Sequence, residues 1–230
     1  MFSHARRLRA PTSWAVRPAA LLAAGAAALL AGCSSMPNTG NQRILGGPIV
    51  FTKVGHGDPV IVLQSGLGDG REPWTQVLEG LRDHHTVFAY DRPGYGDSTA
   101  TPPTPRNPCG IATELHGVLQ ASGIKPPYVL VGHSIGGLYQ YAFSRLYPDE
   151  VAGIVLVDAT HPMHLRRMQV DVPVMANMLE NMSKRVFRGM MQVEFLMQNE
   201  CVDALMQRRM PDVPVRVLTR TVYTPVEQAG

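Results

Sequence analysis

No histidine follows His164 in this chain of 230 residues, so any imidazole base must come from residue 164 or earlier. No apolar run is long enough to cross a bilayer as a helix. The run at 19–31 has 13 residues, where about 20 are needed. Three cysteines allow one intramolecular bridge at most. There is no internal repeat and no cluster of metal-ligand residues, and the glycine-rich loops match no phosphate-binding pattern. A metal centre and a nucleotide-binding loop therefore drop out, and no cofactor is expected.

What the chain does have begins with a leader. Arg6, Arg7, Arg9 and Arg17 precede the small and apolar run at 19–31, the pattern of a secretory signal. The run ends Leu30-Ala31-Gly32-Cys33, which resembles a bacterial lipobox. In such precursors the cysteine is lipidated and becomes the new N-terminus. The plainer reading is an ordinary signal peptide with a chance cysteine. Residues 1–32 are thus expected to be a lipoprotein signal peptide. Residues 33–43, rich in Ser, Asn, Gly and Pro, form a tether, and residues 44–230 form the folded domain. The chain would be lipid-anchored through Cys33 in the cell envelope, facing the periplasm, and Ser34 leans toward the outer membrane. Several acyl chains make a stable anchor where one does not. Without the leader's four arginines the formal net charge falls from +3 to −1. No basic patch then remains to favour nucleic acid. The 198 residues left after removal of 32 suit one domain with a sizeable core. In an exported protein Cys109 and Cys201 either bridge each other or stay as two buried thiols.

The most informative stretch is Tyr128-Val129-Leu130-Val131-Gly132-His133-Ser134-Ile135-Gly136-Gly137. An apolar, β-branched run stops at glycine, a serine follows between small residues, and a helical pattern begins at once. Strand, tight turn and helix are the context of a G-x-S-x-G nucleophile elbow. The bare motif arises by chance in about one in fifteen chains of this size, so its setting carries the argument. The alternative is a small-residue turn with a bystander serine.

Patterning predicts strands at 48–54, 59–64, 86–90, 128–131, 153–158 and 213–219, and helices at 73–82, 111–122 and 138–146. The first two strands, joined by Gly55-His56-Gly57-Asp58, read as a hairpin. The alternation that follows argues for a mostly parallel α/β sheet flanked by helices. Right-handed crossovers then bring Gly66-Leu67, Asp91, Ser134 and Asp158 to one sheet edge, where such sheets bind ligands. Residues 161–211 break the alternation, hold ten of the twelve methionines, and read as a helical cap. Met175, Met178 and Met182 recur at helical spacing. They suit either a pocket for varied apolar groups or an ordinary core.

Taken together, QSGLGDG at 64–70, DRPGYGDS at 91–98, GHSIGG at 132–137 and VLVDATHP at 155–162 resemble the α/β-hydrolase family of serine esterases, lipases and cofactor-free haloperoxidases. The resemblance spans about residues 48–219. It implies the α/β-hydrolase fold, Ser134 as nucleophile, and the backbone N–H groups of Leu67 and Ile135 as an oxyanion hole. Ser65-Gly66 stands where the family often has His-Gly, and His133 is read as structural. The implied substrate is a small-molecule ester or acyl compound.

The family's order of nucleophile, acid and histidine breaks after the strand at 213–219. Glu227 is the one acid in the tail that follows, and the final strand, its helix and the histidine loop read as missing. Two acid candidates remain: Glu227 in that tail, and Asp158, which could equally be a carboxylate capping the sheet edge. His161 and His164 are candidate bases, or else cap residues. An edge strand at 213–219 would invite self-association. Two readings stay open: a lipid-anchored serine hydrolase, and a hydrolase-fold envelope protein that binds without catalysis.

Overall fold

The computed structural model describes residues 40–44, 47–102 and 104–220. Seven strands form one sheet: β1 (Gly40–Ile44), β2 (Gly47–Val54), β3 (Val60–Gln64), β4 (Val87–Tyr90), β5 (Tyr128–His133), β6 (Val151–Val157) and β7 (Val215–Leu218), in the order β1-β2-β4-β3-β5-β6-β7. From β4 to β7 every pairing is parallel. The central strands are built from Val, Ile, Leu and Phe, and β3 and β4 are buried throughout. Strands covered on both faces need this composition.

Two expectations change here. The strands at 48–54 and 59–64 do not form a hairpin, because β4 lies between β2 and β3. The hairpin is β1–β2, pairing Ile44 with Gly47 and Gly40 with Phe51. Residues 40–43, expected to be tether, accordingly belong to the sheet. Residues 1–39, which hold the expected signal peptide and Cys33, and residues 221–230, which hold Glu227, lie outside the described residues.

Helices α1 (Thr75–Leu81), α2 (Pro108–Ala121) and α3 (Ile135–Leu146) flank the sheet. Asn107 starts α2: its side-chain oxygen accepts from the Gly110 amide at 2.9 Å, and Pro108 opens the first turn. Ala112, Leu115, Val118 and Leu119 of α2 and Phe143 of α3 pack on Phe51, Val62, Phe88, Leu130 and Ile154, while Ile111 packs with Ile135, Leu138 and Tyr139 of α3. On the opposite face Trp74 and Leu78 cover Ile61, Leu63, Ala89 and Val131, while Val129, Val155 and Val157 stay half-buried. All of β7 is exposed.

The interruption after β6 is helical: α4 (His164–Asp171), α5 (Pro173–Val186), α6 (Gly189–Met197) and α7 (Val202–Met206). Met175, Met178 and Met182 lie on α5 and are 54%, 65% and 46% exposed, so they line neither a core nor a closed pocket. A disulfide joins Cys109, in the first turn of α2, to Cys201, just before α7. It fastens the last cap helix to the domain. Among the described residues no helix is long and apolar enough to cross a membrane.

Candidate active site

The elbow is assembled from close approaches that tolerate no side chain. A Cβ on Gly132 would fall 2.6 Å from the Gly136 carbonyl oxygen and from the Gly137 nitrogen. A Cβ on Gly136 would stand 2.6 Å from the Ser65 oxygen, and one on Gly137 would meet the Ala159 side chain. The three glycines of GHSIGG thus let β5, α3 and the loops after β3 and β6 meet at one point. Ser134 sits at that point with φ 54° and ψ −127°. A non-glycine residue held there costs about 1–3 kcal/mol, which the surroundings must offset. The Ser134 amide donates to the Val157 oxygen at 3.1 Å, and the Ser134 oxygen accepts from Thr160 at 2.9 Å and Gly137 at 3.0 Å. The strand, turn and helix read from the sequence are therefore present, with the serine half-buried at the start of α3.

The loop after β3 lies against the serine. A Cβ on Gly66 would be 3.5 Å from Ser134 Cβ and 3.2 Å from His133 Nδ1. Ser65 Oγ accepts from Trp74 Nε1 at 2.8 Å, which ties the loop to the 3₁₀ turn at Glu72–Trp74. Among the described residues, the Leu67 and Ile135 amides and the Ser134 hydroxyl make no hydrogen bond. Ile135 is the first residue of α3, so its N–H is one of the helix's free donors. Beside the loop a cavity of about 250 Å³ is lined by Gly66, Asp69, Trp74, Val77, His133 and Val157, and Ser134 is not part of that lining.

The acid and base candidates are not drawn into one constellation. Asp158 directly follows β6 with φ 44°, its side chain is half exposed, and its carboxylate lies 3.7 Å from Arg220 Nε. His161 is exposed, and its Nδ1 accepts from the Met163 amide at 3.1 Å. His164 opens α4 and is exposed. Among the described residues no hydrogen bond joins Ser134, Asp158 and His161.

The loop after β4 is held from inside. Asp91 is fully buried and accepts from the Arg71 amide at 2.7 Å, from the Asp97 amide at 2.9 Å, and from the Arg71 guanidinium. Burial pushes its carboxyl pKa up, while these donors pull it down. Glu72, Asp91 and Asp97 bring carboxylate oxygens within 4.8 Å of one another. The Arg71 guanidinium pairs with both aspartates, so a cation already serves that cluster.

The sequence reading missed the buried charges beneath this loop. Arg92, Arg106, Glu114 and Glu194 are each 3% exposed or less. Arg106 bonds Glu114 at 2.5 Å and Glu194 at 2.5 Å. Burial raises the Glu114 pKa to about 7, with Glu194 adding to the rise and Arg106 opposing it. A visible signal existed: Glu194 is the one charge in the apolar helix GMMQVEFLM. Such a residue is buried only when paired. The same helix puts methionines over the site, since Cβ atoms on Gly68 and Gly94 would meet Met191 and Met190 at 2.6 and 2.5 Å.

The α/β-hydrolase fold family matches residues 59–225. This chain belongs to that family. It is 34% identical over 113 residues to the "Putative carbamate hydrolase RutD" of Klebsiella pneumoniae, a match covering 48% of this chain and 42% of that protein. It is similar in fold to an α/β-hydrolase-fold protein from Burkholderia ambifaria, with a TM-score of 0.58, 19% identity, and 84% and 85% of the two chains covered. A thermophilic esterase from Thermogutta terrifontis gives a TM-score of 0.52 at 24% identity, over 79% and 80% of the two chains. The chain spans less than half the length of the curated relatives it matches, from 17% to 49%.

Proposed function

We propose that this chain hydrolyses carboxylic esters or related acyl compounds, with Ser134 as the nucleophile. The observation that carries the reading is Ser134 itself. It is held at positive φ on the elbow, directly before Ile135 and against the Gly66 turn, and among the described residues neither its hydroxyl nor the Leu67 and Ile135 amides make a hydrogen bond. In this reading Ser134 Oγ attacks the acyl carbon while its proton passes to a base. The carbonyl oxygen becomes an anion facing the two amides, at the positive end of the twelve-residue α3 dipole. The leaving alcohol takes the proton, and water then releases the acid from Ser134. Asp158 is proposed as the acid. His161 is proposed as the base; that role requires Nδ1 to give up the Met163 amide and carry the ring proton, so that Nε2 holds the free lone pair. The carbamate hydrolase relative supports hydrolysis of an acyl bond but does not choose the substrate.

The assay is turnover of p-nitrophenyl acetate and butyrate by the full chain and by Ser134→Ala. The reading expects turnover that Ser134→Ala reduces at least a hundredfold. Equal turnover by both proteins would overturn it. That outcome would favour a non-catalytic binding module, which the absence of a histidine hydrogen-bonded to Ser134 among the described residues supports.

Anchoring through Cys33 to the bacterial envelope belongs to the same proposal and rests on Leu30-Ala31-Gly32-Cys33. Fatty-acid labelling lost in Cys33→Ala supports it, and labelling retained in that variant refutes it. Self-association through β7 is supported by its exposed Val215, Val217 and Leu218.

A further inference from the structure

The carbonyls of Ser65 and Gly66 share one partner. Arg92, 1% exposed, donates from Nη1 to the Ser65 oxygen at 2.8 Å and from Nη2 to the Gly66 oxygen at 2.7 Å. The Gly66 carbonyl and the Leu67 N–H belong to one peptide unit. In a planar trans peptide the C=O and N–H point in opposite directions, so fixing one fixes the other. The third donor, Nε, turns the other way and meets Glu194 of α6 at 3.2 Å. Glu194 is fully buried and also accepts from Arg106, from the Tyr95 hydroxyl at 3.0 Å and from the Tyr139 hydroxyl at 3.3 Å. The Arg92 guanidinium lies 4.5 Å from the centre of the Tyr95 ring and 5.4 Å from that of Tyr139.

We infer that Arg92 is a positioning residue for the oxyanion hole: it grips the Gly66 carbonyl so that the Leu67 N–H faces Ser134, and Glu194 couples that grip to the cap. The inference rests on the reading of Ser134 as nucleophile and Leu67 as donor. An arginine is required because one planar fork must bond two successive carbonyls and a carboxylate together; a lysine ammonium is a point donor without that geometry. Burial disfavours the Arg92 charge and Glu194, foremost among its neighbours, favours it; the net shift is upward, so the guanidinium stays charged. A cap helix and the oxyanion loop thus share one side chain. Withdrawal of α6 would loosen the Leu67 amide without touching it.

Three variants of the full chain test this. Arg92→Lys keeps the charge but loses the fork. Glu194→Gln weakens the anchor and leaves the guanidinium in place. Arg106→Lys disturbs the same ion cluster but touches neither carbonyl of the loop. Two readouts are needed: kcat and KM for p-nitrophenyl butyrate, and the backbone amide resonances of Leu67 and Ile135. Arg92→Lys is expected to lower kcat about a hundredfold, the loss that follows removal of one oxyanion donor, with KM changed less than about threefold. The Leu67 resonance should move while that of Ile135 stays. Glu194→Gln should shift Leu67 in the same direction and lower kcat about tenfold, a fraction of that loss. Arg106→Lys should leave the Leu67 resonance and kcat near wild type, whatever it does to stability. Equal kcat losses in Arg92→Lys and Arg106→Lys, or an unmoved Leu67 resonance in Arg92→Lys, would overturn the inference. If Arg92→Lys does not fold, an unmoved Leu67 resonance in Glu194→Gln overturns it. If Ser134→Ala turns over ester as fast as wild type, the hydrolase reading fails, and the Leu67 resonance still decides whether Arg92 sets that peptide.

Discussion

Reduction of the Cys109–Cys201 bond should weaken this fold by a large share of its total stability. The two cysteines are 92 residues apart. The loop they close contains β5, Ser134, β6 and most of the cap. In the chain-entropy account, opening a loop of that length releases about 4.5 kcal/mol of restraint on the unfolded chain. Natural domains have about 5–15 kcal/mol in total. For a domain of this size each kcal/mol moves the melting temperature by about 2–4 °C, so a drop of about 9–18 °C is expected. The assay is thermal unfolding followed by circular dichroism, with and without reductant. Mass spectrometry of alkylated protein shows that both thiols are free. Because reduction removes no side chain, packing around the half-buried cysteines is otherwise preserved. A reduced protein melting within about 3 °C of the oxidised form would refute the reasoning, since the predicted loss is several times larger.

Two further predictions concern the elbow and the buried charges. Gly132→Ala puts a methyl 2.6 Å from backbone atoms of Gly136 and Gly137, which cannot retreat as a side chain would. It should cost about 1–3 kcal/mol in urea unfolding and about a hundredfold in esterase kcat, as α3 and Ser134 shift; a variant with wild-type stability and rate would contradict the geometry. Glu114 binds its proton more tightly when folded, because burial lifts its pKa from 4.5 to about 7. Its contribution is therefore present below the unfolded value of 4.5 and lost as pH rises through about 7. The shift is worth on the order of 3 kcal/mol. Stability should fall between pH 5 and 7.5, and Glu114→Gln should flatten that slope; an unchanged slope in the variant would refute the assignment.

The parts legible in the sequence were those written in consecutive residues. GHSIGG declared a sharp turn between a buried strand and a helix, and each of its glycines meets a neighbouring backbone or side chain. The sheet's parallel character followed from apolar runs separated by helical patterns. Pairing partners did not follow. Alternation says that 48–54 and 59–64 are strands, but not that β4 inserts between them. The strand GNQRI is polar and short, so β1 passed for tether; its partner β2 makes it a strand. Met175, Met178 and Met182 share a face as their spacing predicts, but spacing does not say what that face meets, and it is solvent. The Arg92–Glu194 pair spans 102 residues of sequence, and no local pattern links its ends.

The central claim is that Ser134 is a reactive hydroxyl presented to two free amides. It is tested most directly by treating the folded full chain with a fluorophosphonate probe and mapping the adduct by peptide mass spectrometry. The account predicts one stoichiometric adduct on Ser134, not formed when the protein is heat-unfolded before treatment and absent from Ser134→Ala. Folded protein left unlabelled at Ser134, or labelled equally at other serines, would contradict it.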